Sequence, residues 1–545
     1  MSAAFDARRG AHAAAPVKPH IDHPLDPRFA LGILAVLALG LFYMAYSIRS
    51  DLSAAGGGPT TIVPFLLLGV ALLIALGFEF VNGFHDTANA VATVIYTHTL
   101  TPPQAVIWSG LWNFLGVLTS TGAVAFGIVA LLPVELILDV GSGAGFAMVF
   151  ALLLSAIIWN VGTWYLGLPA SSSHTLIGSI VGVGLMNSLM SSSQQFGEGV
   201  NWGKVQDTAM ALLVSPLVGF VAAGLLLLAA KVVIRNPALY RSPEGKAPPP
   251  LWIRAILVLT CTGVSFAHGS NDGQKGMGLI MLILIGVVPA TYALNLAASS
   301  ANLQAIVVAS QAAQPIFGTA PASTDAMANQ VADAELSRFL TTGKPTPQTM
   351  SSLAVKNGAV AATLSQIKSI SELPVDGRSR LRRDVYLVEE GVSKLIKAGA
   401  VPDAKNKATL SKLRSELQTL TDFIPLWVKI AVAVALGLGT TIGWKRIVVT
   451  VGEKIGKSHL TYAQGASAEL VAMVTIGAAD GFGLPVSTTH ILSSGIAGTM
   501  AANRSGLQKE TMRNILLAWV FTLPACMILG SVLFAAGLFV VLRLF

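Results

Sequence analysis

Two short segments recur in this 545-residue chain, and both carry residues suited to binding an anion. One reads Gly167-Leu168-Pro169-Ala170-Ser171-Ser172-Ser173-His174, the other Gly483-Leu484-Pro485-Val486-Ser487-Thr488-Thr489-His490. Proline suits the first turn of a helix, where its missing N–H would have no partner. Hydroxyls just after it satisfy free backbone N–H groups. A helix start carries partial positive charge and unpaired donors, which attract anions. Two such starts facing each other would offer Ser171, Ser172, Ser173, Ser487, Thr488 and Thr489 to one tetrahedral oxyanion. Hydroxyls also cap and pack membrane helices without binding anything. Duplication of the whole Gly-Leu-Pro…His frame favours a site.

A second pair of segments precedes the first: Asn82-Gly83-Phe84-His85-Asp86-Thr87-Ala88-Asn89 and His268-Gly269-Ser270-Asn271-Asp272-Gly273-Gln274-Lys275. Asp86 and Asp272 lie in apolar stretches, where a carboxylate costs about 2.5–3.5 kcal/mol even on a mild scale, so each is expected to work. Gly83 and Gly269 are expected to let their helices break and bare carbonyls, so that each aspartate can hold a cation or a proton. The structural alternative pairs Asp272 with Lys275, one helical turn on; Lys275 stands where the first copy has Asn89. Supporting positions are Asn82, His85, Asn89, Asn271, Lys275, His174 and His490. These histidines and His268 hold broken helices by hydrogen bonds, or titrate near neutral pH. Glu79, on a face similar to that of Asp86, is read as a supporting residue behind it, and Glu469 with Asp480 as proton or gating groups. No metal-ligand set is read. A Ser173–His174–Asp86 triad would need a serine held by its base; a catalytic triad is rarely wanted twice, so the chain is read as a non-enzyme.

The elements that must position these residues are membrane helices. The chain is 53% hydrophobic and 11% charged, with mean hydropathy +0.68; soluble domains carry about 25% charged residues. Apolar runs near the roughly 20 residues that cross a bilayer recur from Leu31 to the end, which predicts an all-α polytopic membrane protein of about 10–12 membrane segments. Polar, Gly/Pro-broken segments at matching places in two halves predict two inverted repeats with broken helices and re-entrant half-helices. About 28 polar residues precede the first apolar run and no small-residue cleavage site follows it, unlike a secretory signal. Cys261 and Cys526 both sit in apolar runs, as buried thiols ordinarily do. The net charge of +8 needs no nucleic acid, because Lys and Arg concentrate in short loops as orientation signals do.

Lys231, Arg235, Arg241, Lys246 and Arg254 mark one cytoplasmic loop, and Lys445, Arg446, Lys454 and Lys457 another. The domain reading is a polar tail over 1–28, an additional span and loop over 29–60, a first transport repeat over 61–233 and a cytoplasmic basic loop over 234–252. The second transport repeat occupies 253–297 and 425–543, with 253–296 as one long broken helix. Asp86 precedes Ser171 by 85 residues and Asp272 precedes Ser487 by 215, so the second half carries 130 extra residues. They form a polar, partly helical insert over 298–424, placed in the periplasm. Within it 382–397 and 408–420 have helical apolar spacing, while 311–350 reads as loosely ordered.

The motifs closely resemble those of the inorganic phosphate transporter family. They are Gly83-Phe84-His85-Asp86-Thr87-Ala88-Asn89-Ala90, His268-Gly269-Ser270-Asn271-Asp272 and the two Gly-Leu-Pro segments. Asn271-Asp272-Gly273-Gln274-Lys275-Gly276 and Trp159-Asn160-Val161-Gly162-Thr163-Trp164-Tyr165 resemble the bacterial low-affinity phosphate permeases. The likeness covers about 62–543; the first span lies outside it. It implies secondary active import of inorganic phosphate across the bacterial inner membrane, with no resident cofactor. In sodium-coupled relatives the aspartates matching Asp86 and Asp272 belong to the cation and phosphate site, and the matching hydroxyls contact phosphate. The permeases resembled here are proton-driven and accept phosphate as a neutral complex with a divalent metal. Lys275, and Asn113 where sodium-coupled members tend to have glutamate, depart from the sodium pattern. The expected partners are phosphate and the bilayer, with homo-oligomers common in the family. The expected function is proton–phosphate symport; the alternatives are sodium-coupled symport or a sulphate-type oxyanion permease on the same scaffold.

Overall fold

The computed structural model describes residues 19, 27–55, 62–86, 88–131, 142–190, 196–197, 200–243, 245–318 and 326–544. Nearly all of the tail 1–28 falls outside these residues, as do Thr87 and the side chain of Asn89. Among the described residues the fold is helical, with one isolated β-bridge between Gly456 and Leu507. After α1 (Pro27–Ala54), the first half runs α2 (Ile62–Asp86), α3 (Ala88–Tyr96), α4 (Pro102–Thr119), α5 (Ala123–Val129), α6 (Gly143–Tyr165), α7 (Ser172–Met190) and α8 (Trp202–Val233). The second half opens with α9 (Leu251–Val287). It is interrupted by α10 (Ser300–Phe317), α11 (Ala326–Thr342), α12 (Pro347–Ser365), α13 (Val375–Lys397) and α14 (Ala404–Thr421), and resumes with α15 (Leu426–Thr441), α16 (Tyr462–Gly481), α17 (Thr488–Ala502) and α18 (Lys509–Leu544).

Seven described helices are long and apolar enough to cross a membrane, or nine if each bent pair forms one span. The pairs are α4–α5, bent by 75°, and α14–α15, bent by 76°. The larger sequence count of ten to twelve includes shorter pieces such as α17, whose 15 residues fall short of a full crossing of about 20. Leu31, Leu34, Phe42 and Tyr46 on α1, and Leu213, Leu217 and Leu225 on α8, are 60–71% exposed. Apolar faces of that extent suit lipid rather than water.

The halves interlock reciprocally. α2 packs on α15 while α9 packs on α4; α7 packs on α18 while α17 packs on α8. Glycines set the first two approaches. A Cβ at Gly83 would lie 2.3 Å from the Leu436 carbonyl oxygen, and one at Gly269 would lie 2.2 Å from that of Asn113. This corrects the expected role of Gly269. α9 runs unbroken from Leu251 to Val287 through the motif, because the glycine serves close helix packing and not a helix break.

The insert helices α10–α14 enclose their own apolar core, which includes Leu336, Phe339, Leu353, Val385, Leu410 and Leu413. The stretch 311–350, expected to be loose, is helical wherever it is described outside two short turns. Composition hides this, because a few well-spaced residues such as Leu336, Phe339 and Leu340 suffice to dock α11. Arg378 of α13 donates to the carbonyls of Ala55 (3.1 Å) and Ala290 (2.8 Å), fastening the insert to the end of α1 and to the segment after α9.

Candidate functional site

The two Gly-Leu-Pro segments form the same backbone device. Gly167 (φ +68°) follows α6 and Gly483 (φ +64°) follows α16, each in the left-handed region that glycine enters at no steric cost. The Gly167 N–H donates to Trp164 O and the Leu168 N–H to Thr163 O; the Gly483 N–H donates to Asp480 O and the Leu484 N–H to Ala479 O. That paired pattern ends each helix with its last carbonyls satisfied. Proline then prevents continuation, and a new helix starts at the hydroxyl run. α7 leads toward the end of the molecule where α8 begins, since the Gly197 N–H donates to Ser188 Oγ (2.8 Å) near Trp202. α17 leads to the other end of α8, where Lys231 Nζ donates to Asn503 Oδ1 (2.5 Å). The N-termini of α7 and α17 therefore approach one place from opposite sides.

That place holds both aspartates. Ser172 Oγ lies 2.8 Å from Asp86 Oδ2 and 3.4 Å from Asp272 Oδ2, bridging them. Thr489 Oγ1 donates to Asp86 Oδ1 (2.8 Å), and Thr488 Oγ1 lies 3.4 Å from Asp272 Oδ2. His85 Nδ1 bonds Asp86 Oδ1 at 2.8 Å, while its Nε2 meets Thr163 Oγ1 at 3.3 Å. Lys275 Nζ donates to Asp272 Oδ1 at 2.6 Å, with both side chains fully buried. His268 bonds Asn113 Oδ1 through Nδ1 (2.9 Å) and faces Asp272 Oδ2 through Nε2 (3.3 Å). The six expected hydroxyls thus divide by position. Ser171 and Ser487 cap their helices, accepting from the N–H groups of His174 and His490. Ser172, Thr488 and Thr489 face carboxylates, and Ser173 donates to Val486 O (2.7 Å). With Ser173 engaged there, no Ser173–His174 catalytic pair forms.

No metal set was read from the sequence, yet the fold brings ligand atoms of Asp86, His268 and Asp272 within 4.8 Å of one another. Oxygen and imidazole donors could take a cation there. Two carboxylates against one ammonium leave one negative charge to neutralise.

The remaining expected residues sit around this centre. His174 and His490 pack with ring centroids 4.6 Å apart, and His490 stacks on Trp519 at 4.0 Å. Trp519 Nε1 donates to Pro169 O (2.9 Å), tying α18 to the turn before α7. Asn271 Nδ2 reaches Leu484 O at 3.2 Å. Glu79 is fully buried beside the Asn82 side chain and the Gly276 backbone. A Cβ at Gly276 would lie 2.3 Å from Glu79 Cγ, so this carboxyl packs against α9 beside Lys275. Glu469 accepts from Thr260 Oγ1 (2.5 Å), twelve residues before Asp272 along α9. Asp480 accepts from Ser270 Oγ (2.7 Å) and Gln274 Nε2 (2.5 Å), and Gln274 Oε1 accepts from the Val124 N–H (2.9 Å).

Sequence reasoning missed Trp519, Thr163 and the Ser270–Gln274–Asp480 link. Gln274 and Ser270 share the aspartate motif and were within reach; Trp519 carries no local signal.

A model of the phosphate transporter family matches residues 82–530. The low-affinity inorganic phosphate transporter PitA of Escherichia coli K12 is 44% identical over 481 residues, covering 86% of this chain and 96% of its own. PitB of the same organism is 43% identical over 483 residues, covering 86% and 96%. A probable low-affinity inorganic phosphate transporter of Bacillus subtilis 168 is 28% identical over 469 residues, again covering 86% and 96%. One solved structure, "The sodium-dependent phosphate transporter", aligns with 86% of this chain and 98% of its own, with TM-score 0.47 and 19% identity.

Proposed function

The chain belongs to the phosphate transporter family, and from that premise we propose that it imports inorganic phosphate across the bacterial inner membrane by proton symport. The observation that carries this reading is the meeting of two helix N-termini at two carboxylates already furnished with one lysine. Phosphate entering between α7 and α17 would draw the hydroxyl protons of Ser172, Thr488 and Thr489 away from the aspartates and onto its own oxygens. Ser171 and Ser487 accept as caps and keep a proton to donate. Helix-start donors and dipoles then face the anion from both sides.

Proton coupling follows from the charge count. Lys275 neutralises Asp272 inside the protein, in the place where a bound cation would otherwise serve. The remaining negative charge, which we assign to Asp86, takes one proton, held near His85 and His268. A divalent metal travelling with phosphate is cargo in this scheme, and it would meet the Asp86, His268 and Asp272 ligand atoms. The opposite exits of α7 and α17 and the reciprocal helix pairs support two inverted repeats that rock about the site. The insert is proposed to lie on the periplasmic face, opposite the basic loops. Lipid, or a second copy of the chain, would cover the exposed faces of α1 and α8.

Radiolabelled phosphate uptake by the protein in proteoliposomes, with excess unlabelled phosphate or sulphate as competitor, tests the substrate. Competition by phosphate alone is expected. Uptake of sulphate in place of phosphate would overturn the assignment.

A further inference from the structure

A cavity of about 850 Å³ lies between the insert and the transport core, away from the aspartates. Its floor includes Gly122 and Gly481–Gly483, the latter being the turn that launches α17 and its hydroxyls. Five cationic side chains line it: Lys204, Arg382, Lys394, Lys397 and Arg414. Three of them have partners. Lys397 Nζ pairs with Asp207 (3.0 Å), Lys394 donates to Leu340 O, and Arg414 lies 4.0 Å from Glu389 Oε1. Arg382 makes no hydrogen bond or ion pair among the described residues, and its Nε is buried without a partner.

The acids of the cavity offset these charges only in part at neutral pH, because Glu389, Glu390 and Asp422 are three carboxyls against five cations. Burial, helped by Asp422 and Glu390, pushes Glu389 up to about 8, so it is mostly protonated there. Burial pushes Asp422 up only to about 6, so it stays mostly ionised at neutral pH. Burial also brings Arg382 down, but only to about 10, so its guanidinium stays charged. Glu389 and Asp422 act on Arg382 through space without bonding it, and a buried guanidinium Nε left without an acceptor is costly until an anion supplies one. A planar guanidinium fork matches two oxygens of a tetrahedral oxyanion. A cavity in which cations outnumber carboxyls also concentrates such ions.

We propose that this cavity is an antechamber in which Arg382 binds a tetrahedral oxyanion, phosphate, one step before the transport site. The inference rests on the reading of the protein as a phosphate transporter and adds a second binding site, built by the insert. An ion held there lies against the α16–α17 turn and next to the route toward Ser487 and Thr488.

The chain offers a clean probe, because Cys261 and Cys526 are both buried and Ser393 lines the cavity. Ser393→Cys protein is labelled with a membrane-impermeant thiol reagent, with and without inorganic phosphate. With phosphate at about ten times its Kd, simple occupancy slows labelling about tenfold. The same protection is expected when Asp272→Asn is added to stall transport. Arg382→Gln should abolish it, and Arg382→Lys should keep part of it. Melting temperatures of the Arg382 variants confirm that they remain folded. Protection that disappears with Asp272→Asn overturns the antechamber, because phosphate would then act from the transport site. Absent protection in protein that still takes up phosphate also overturns the antechamber, while leaving the transport reading intact. Absent phosphate uptake by Ser393→Cys and wild type alike overturns the transport reading.

Discussion

The two halves of the site carry the same motif with different electrostatics. Asp272 is locked to Lys275 at 2.6 Å, whereas the described partners of Asp86 are His85, Ser172 and Thr489. The sequence carries an aspartate in each copy of the motif, and one lysine makes the two copies unlike. In the proposed scheme, the half with its own ammonium is a fixed neutral pair. In the same scheme, the half held by hydroxyls and imidazole is the one that exchanges a proton. On that proposal, a repeat would supply the symmetry that alternating access needs while a single residue sets the coupling stoichiometry.

The most damaging way to break the contrast is to remove the lysine. Lys275→Ala leaves Asp272 as an unpaired buried charge, a change that costs about 3–5 kcal/mol. Most of the protein should fail to reach the membrane folded, and thermal unfolding in detergent should show the loss. Asp272→Asn combined with Lys275→Met should recover the melting temperature. If Lys275→Ala melts like wild type, the fixed pair is not what separates the halves.

A smaller effect is expected at the hydroxyls. Ser172 bridges both carboxylates, while Thr488 makes one long contact. Hydrogen bonds to charged groups are worth about 1.5–3 kcal/mol, so Ser172→Ala should lower uptake roughly 10- to 100-fold. Thr488→Ala should lower it less. An equal loss in the two variants would mean that the serine does not join the two halves.

The helix caps should behave alike in both halves. Ser171→Ala and Ser487→Ala should each cost about 0.5–2 kcal/mol, and glycine at either position only a few tenths. Unequal costs, read from melting temperatures, would show that the symmetry fails even at the backbone.

Glu389 provides a reference carboxyl outside the membrane, buried beside a distant Arg414 and without a close lysine. Burial raises it from 4.5 to about 8. Between those values the folded chain holds a proton that the unfolded chain has released, so stability falls as pH rises from about 4.5 to about 8. Glu389→Gln should flatten that slope of melting temperature against pH. An unchanged slope would remove Glu389 as its source.

Much of this organisation was legible in the sequence. Apolar runs, the repeated Gly-Leu-Pro segments and the aspartates in apolar stretches are local signals, and the structure gathers these residues at one centre. Features that depend on distant pairing were not legible. Gly269 looked like a helix breaker because its partner, the Asn113 carbonyl on α4, lies more than a hundred residues away in sequence. Ser171 and Ser487 looked the same as their neighbours until the start of each helix was fixed, since capping depends on register. The stacking of His490 on Trp519 joins two helices with no shared motif. The cavity around Arg382 arises where the insert meets the core, a junction that composition cannot reveal.

The central claim is that one proton, taken up by Asp86, completes a site in which Lys275 already serves as a fixed cation. The direct test is phosphate uptake into proteoliposomes driven by an imposed pH gradient, with and without sodium, for wild type and Asp86→Asn. Uptake that follows the gradient, ignores sodium and loses its gradient dependence in Asp86→Asn is the predicted result. Uptake that requires sodium, or that still follows the gradient in Asp86→Asn, would contradict it.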